Sequence, residues 1–231
     1  MKLPLILAVT LSVLTFTGNS RAGETVQIDA QDVFNMRPIN TMVNGKLVPM
    51  NNNIDGAGGI ATKSAAQAAG SDDPHSMPDN GKFAANDKHP EVIFSYATDD
   101  GRKNLARKSQ GSDEFIVNIP PKNYAKLFLF FASGAGPSKL HLDLKYQDGT
   151  LESRSMEVPD WFWELKSDDK DRCYIAPDLS KWSPDKMLEK DHHFIFGLNV
   201  NPSPDKILAK IRIKKAEPGI MAFFGGTGQV K

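Results

Sequence analysis

Residues Leu140-His-Leu-Asp-Leu-Lys-Tyr146 alternate apolar and polar without a break, and no other segment constrains the fold as tightly. Side chains on a strand alternate between its two faces, so Leu140, Leu142, Leu144 and Tyr146 line one side and His141, Asp143 and Lys145 the other. Gln147-Asp-Gly-Thr150 follows, and a second extended run reaches Val158. Asp-Gly between two such runs predicts a hairpin, because glycine takes the positive φ of a tight turn at no steric cost. A helix cannot be written over this pattern, since its apolar positions recur at 3.6 residues rather than two.

Further segments of the same kind flank the hairpin. Glu91 to Ala97 carries Val92, Phe94 and Tyr96 on one side, and Asp99-Asp-Gly101 breaks it. Glu114 to Ile119 alternates Phe115, Val117 and Ile119 and stops at Pro120-Pro121, which lack ladder donors. Ala125 to Ala132 is apolar on both faces, the pattern of a central strand covered on both sides. His192 to Val200 aligns Phe194, Phe196, Leu198 and Val200. Lys206 to Lys214 turns Ile207, Ile211 and Ile213 inward and Lys210, Arg212 and Lys214 outward. Ile220 to Phe224 ends the series before a glycine-rich tail. Evenly spaced strands with few helical patterns predict an all-β chain, an antiparallel two-sheet β-sandwich of jelly-roll kind. No internal repeat is visible, which argues against a propeller or solenoid.

The region before the ladder differs. Residues 1–22 read as a secretory signal peptide: Lys2, an apolar run from Leu3 to Thr17, then Ser20-Arg21-Ala22 before Gly23. The apolar run is short for a bilayer span, so an uncleaved anchor is the weaker alternative and no membrane span remains after cleavage. The expected location is secreted or periplasmic. Residues 23–90 carry early strands, with Val26 and Ile28 in the first and Asn44-Gly45 as a hairpin turn. From Asn51 to Pro90 the chain is rich in Gly, Ala, Ser, Asn, Asp and Pro, apart from a short helix expected over Ala61 to Ala69. This long irregular N-terminal region is expected to pack over one end of the sandwich formed by residues 91–231.

Charge narrows the partners. The chain has 28 basic and 28 acidic residues and no long block of one sign, which argues against nucleic acid. Cys173 is the only cysteine, so no internal disulfide forms. The lone thiol reads as a buried packing residue rather than a nucleophile or an intermolecular bridge. No Cys-His spacing supports zinc.

Several fragments together resemble a known family. They are Met77-Pro-Asp-Asn-Gly-Lys-Phe83, Phe115-x-Val-x-Ile-Pro-Pro121, Tyr146-Gln-Asp-Gly-Thr150, Val158-Pro-Asp-Trp161, and Asp205-Lys-Ile-Leu208 with Ile211 and Ile213. Their order over residues 75 to 225 resembles the galactose-binding-like sandwiches that serve as carbohydrate-binding accessory modules of secreted glycoside hydrolases. The resemblance implies a non-catalytic module for carbohydrate or a cell-envelope glycan. Sandwiches of this type often carry a structural calcium.

Four residues are the ligand-binding candidates: Trp161, Trp163 and Trp182 as ring-stacking surfaces and Asp160 as a hydroxyl acceptor. Pro159-Asp160 favours a turn that presents a ring; the competing reading places each indole in the core. In an extended segment Trp161 and Trp163 share a side that Phe162 does not. Asp168, Asp169 and Asp171 are the metal candidates, because loop carboxylates suit calcium, although Lys170 and Arg172 interleave them and favour a solvated loop. No other cofactor is expected. His141 and Asp143 share a strand face and form the best acid–base pair, but no Gly-x-Ser-x-Gly elbow accompanies them. His192 and His193 point to opposite sides. Asp55-Gly-Ala-Gly-Gly59 and Gly225-Gly-Thr-Gly228 lack the Lys-Ser/Thr of a phosphate loop. A secreted hydrolase of glycans or esters and an extracytoplasmic protein-interaction subunit are the alternative functions.

Overall fold

The computed structural model describes residues 23–47, 54–56, 58–94, 96, 105–216 and 218–231. The expected signal peptide and the Asp99-Asp-Gly101 break lie outside the described residues. The chain folds as an antiparallel two-sheet β-sandwich. Its strands are β1 (Thr25–Ile28), β2 (Arg107–Gln110), β3 (Asp113–Lys122), β4 (Tyr124–Gly134) and β5 (Ser138–Tyr146), followed by β6 (Leu151–Val158), β7 (Arg172–Trp182), β8 (Met187–Asn199), β9 (Leu208–Ala216) and β10 (Ile220–Val230). One sheet runs β1-β10-β4-β8-β7, with β2 also pairing β10; the other runs β6-β5-β9-β3.

The alternation read from the sequence sets the core. Leu140, Leu142, Leu144 and Tyr146 of β5 face Leu127, Leu129 and Phe131 of β4, with Phe194, Phe196 and Leu198 of β8 beside them, all buried. Each such side chain contributes about 1.5–3 kcal/mol when removed from water. The two-faced strand is also as read. Phe128, Phe130 and Ala132 point away from the sandwich interior into a second core with Ile175, Ile195 and Phe224.

The second core exists because the N-terminal region lies across that face of the six-stranded sheet. Met36, Ile39, Ile60, Met77, Val92 and Phe94 pack onto it. The expectation that this region covers one end of the sandwich is therefore corrected: it forms a third layer over a sheet face. Its ordered pieces are short. Ile39–Asn40 pairs with Ile60–Ala61 in parallel, and Lys82–Phe83 pairs with Val92–Ile93. Met42–Val43 and Lys46–Leu47 form the Asn44-Gly45 hairpin, both turn residues having positive φ. A helix, α1 (Lys63–Ala68), is capped by the Thr62 hydroxyl accepting from the Ala65 amide.

Three further expectations are corrected. Val92, Phe94 and Tyr96 are buried as their alternation requires, but they belong to the covering layer and not to a sandwich strand. Ile207 is 38% exposed, because a register shift between Leu208 and Lys210 turns Leu208 inward in its place. Gly225-Gly-Thr-Gly228 is strand rather than tail. A β-carbon on Gly226 would stand 2.6 Å from the Phe128 carbonyl oxygen and one on Gly228 2.5 Å from the Tyr124 ring. Only glycine lets β10 lie this close to its neighbours.

Candidate functional site

Pro159 ends β6, and the next four residues build the aromatic turn. The Asp160 carboxylate accepts from the Gly136 amide at 2.7 Å and from the Phe162 amide at 3.0 Å. Its carbonyl accepts from the Trp163 amide at 2.9 Å, and the Trp161 carbonyl accepts from the Phe194 amide at 2.8 Å. The turn is thus tied to the β4–β5 connection on one side and to β8 on the other. Asp160 is buried with both carboxylate oxygens occupied. Its expected role as a hydroxyl acceptor is corrected: it is the clamp of the turn.

Because the segment is a turn and not a strand, the period-two rule does not sort its rings. Trp161 points inward at 2% exposure, and its ring lies 4.4 Å from that of His193. Phe162 and Trp163 both point outward at 49% and 51%. The stacking roles expected of Trp161 and Trp182 are corrected, since a fully buried indole has no face to offer. Trp182 is sealed among Ala61, Ala65 and Ala66 beneath α1, and its backbone exchanges two 2.9 Å hydrogen bonds with Gly59.

The Phe162 ring rests on histidines. Phe162 meets His193 at 5.5 Å and His192 at 6.4 Å, edge to face in both cases. The opposite sides expected of His192 and His193 are corrected: His192 is exposed and His193 buried, but both rings reach Phe162, because positive φ at Asp191 and His192 breaks the strand's alternation. His193 donates from Nδ1 toward the Leu179 and Asp191 carbonyls, and burial lowers its pKa below 6.5. The His192 ring nitrogen Nε2 lies 2.9 Å from Asp191 Oδ1, a polar pair at the edge of the aromatic surface. The role of His193 beneath the turn was not legible in the sequence, because nothing local connects residues 161 and 193.

The acidic loop does not converge. Asp169 accepts from the Asp171 and Arg172 amides and pairs with Arg172 Nε at 2.7 Å. Asp171 accepts from Asn201 Nδ2, and Asp168 is exposed. These carboxylates fix the start of β7 against the residues after β8. Among the described residues no group of three His, Cys, Asp or Glu side chains is placed to hold a metal.

The His141–Asp143 pair forms as its spacing requires, with Nε2 3.1 Å from Oδ1 on the outer face of the four-stranded sheet. The Ser153 hydroxyl, then His141, Lys214 and Arg212, hold the Asp143 carboxyl below its usual pKa. Asp73 and His75 make a second pair at 2.8 Å, also bonded by Ser180. Among the described residues neither histidine is hydrogen-bonded to a hydroxyl or thiol nucleophile. Cys173 is buried, and desolvation pushes its thiol up to about 11, so it packs rather than reacts.

No family model matches this chain, and no curated protein matches it significantly.

Proposed function

We propose that this protein is an exported, non-catalytic β-sandwich that binds carbohydrate or a related cell-envelope glycan, with Phe162 and Trp163 as the stacking surface. One observation carries the reading: two adjacent, half-exposed aromatic rings stand on a turn clamped by a buried carboxylate. Large rings left in water forgo the stabilisation of burial, and two adjacent ones held outward form an apolar patch of the kind that marks a binding surface. Aromatic residues lose little rotamer freedom on contact, and a rigid turn loses less still, so the surface is preorganised. The C–H faces of a pyranose suit such rings, and the His192–Asp191 pair beside Phe162 supplies hydrogen-bonding groups for hydroxyls. Export is supported by the Lys2 to Ala22 segment.

The test compares the mature protein with the Phe162→Ala, Trp163→Ala double variant by affinity electrophoresis in a panel of soluble polysaccharides. The parent is expected to be retarded by at least one glycan and the folded double variant by none. A folded double variant that is retarded like the parent removes these rings from the site.

A further inference from the structure

The outer face of the four-stranded sheet carries a charge pattern that the linear sequence conceals. On the two central strands the outward residues are Lys139, His141, Asp143 and Lys145 of β5 and Lys210, Arg212 and Lys214 of β9. The register sets Lys145 directly opposite Lys210, and Asp143 directly opposite Arg212. Like charges placed opposite each other across a ladder are destabilising. Asp143 is the one carboxylate among these seven, and it lies buried beneath the cations, bonded to Ser153 at 2.8 Å and 3.8 Å from Lys214. Glu114 of β3 stands opposite Lys214 and lies 3.8 Å from Arg212 and 4.0 Å from Lys214, and Glu157 of β6 stands opposite Lys139. These positions hold five lysine and arginine side chains against the three carboxylates of Glu114, Asp143 and Glu157, a cationic surplus on one exposed face of a chain of zero formal charge.

The face is not featureless. At one end Ser112, Lys139, His141, Ser155, Glu157 and Lys214 surround a depression of about 560 Å³. The buried Lys215 also lines it, its ammonium donating to the Gly111 carbonyl at 2.8 Å. Leu140, Met156 and Ala216 make much of the lining apolar, and Lys139, Lys214 and the Ser112 and Ser155 hydroxyls, with Glu157 the one carboxylate, suit an acidic group carried on an otherwise apolar ring. This end is also where the aromatic turn sits. Its backbone is tied there through the Gly136 amide and Asp160, while its rings lie toward the six-stranded sheet, Trp161 in the covered core and Phe162 against His192 and His193.

We infer that this face binds an anionic polysaccharide, with an acidic group in the Lys139–His141–Lys214 depression and the chain continuing along Lys210 and Arg212. The inference rests on the carbohydrate reading above and names its ligand class. Charge complementarity selects the anion. Nucleic acid is the poorer match: a flat sheet face does not enter a groove, and the outward positions of β5 and β9 offer no aromatic ring for base stacking.

The experiment measures binding of polygalacturonate, its methyl ester and a DNA duplex by the parent, by Lys210→Glu with Lys214→Glu, and by Phe162→Ala with Trp163→Ala. The parent is expected to prefer polygalacturonate to the ester, with affinity that falls as salt rises. Reversing two lysines should weaken polygalacturonate binding by about tenfold or more. Circular dichroism verifies that each variant is folded. A second charge variant, Lys210→Gln with Lys214→Gln, keeps the test valid if the glutamates do not fold. Equal retention of acid and ester, unaffected by charge reversal but lost without the rings, overturns the inference and leaves the aromatic reading intact. Polygalacturonate binding that needs the lysines and ignores the rings upholds the inference and removes the rings. DNA bound as tightly as polygalacturonate, or no binding to either polysaccharide, overturns it.

Discussion

Replacing Asp160 by alanine tests whether the aromatic turn is clamped as described. The carboxylate accepts two backbone amides, from Gly136 at 2.7 Å and Phe162 at 3.0 Å, at a site 9% exposed. A hydrogen bond to a charged group contributes about 1.5–3 kcal/mol, and deleting the acceptor strands its donors. Water at the rim recovers part of that, so Asp160→Ala should cost about 3 kcal/mol, or about 6–12 °C in Tm for a domain of this size. Asp160→Asn keeps one carbonyl acceptor but sets an amide NH₂ against the second backbone donor, so it should lose about half as much. Urea unfolding gives both values, and hydrogen exchange locates them. The Gly136 and Phe162 amides should exchange faster in the alanine variant, while those of the β5–β9 ladder keep their relative protection. A loss under about 1 kcal/mol, or an asparagine variant as unstable as the alanine one, refutes the clamp.

Two shorter predictions address charge. Burial lowers the His193 pKa below 6.5, so below that pH the unfolded chain binds a proton that the folded chain refuses, and stability falls as pH falls. Urea unfolding between about pH 7 and pH 5 should show this loss, and His193→Gln should flatten the slope; an unchanged slope assigns the loss to other groups. Lys210→Glu turns the Lys145–Lys210 repulsion into an attraction, so the variant should be more stable by about 0.5 kcal/mol at low salt and lose that gain at high salt. A variant less stable than the parent would show that the two ammonium groups do not repel.

The parts of the fold legible in the sequence are those where local pattern and burial agree. Leu140 to Tyr146 and Phe194 to Val200 lie between the sheets, so each declares its face by alternation. The double-faced run at Leu127 to Phe131 was legible for the same reason, although nothing local could name its second partner. β7 left no such signal. Pro177 interrupts it, Asp178 has a φ of 52°, and its pairing with β8 slips at several positions. An irregular strand scatters its apolar residues across two phases, so periodicity fails. At the site, the turn was foreseeable from Pro159-Asp160, but the sorting of its rings was not. Trp161 is buried in the covered core against His193 of a distant strand, and Trp182 is hidden by a helix more than a hundred residues earlier in the chain. The cationic surplus was invisible for a related reason. Its cations come from two strands that are distant in sequence, and only the register of β5 on β9 places them side by side.

The third layer limits where the proposed ligand surface can lie. A two-sheet sandwich has two outer faces, and here the N-terminal region covers that of the six-stranded sheet with Met36, Ile60, Met77 and Phe94. Among the described residues the free sheet face is that of β6-β5-β9-β3, whose outward positions are largely exposed. The turn after β6 borders it, because Ser138 pairs with Val158 at the end of the hairpin and Gly136 is bonded to Asp160. Covering one face with an apolar layer leaves the opposite face free to carry unfavourable cross-strand charges. The cores on both sides of the six-stranded sheet supply stability that the Lys145–Lys210 repulsion can draw down.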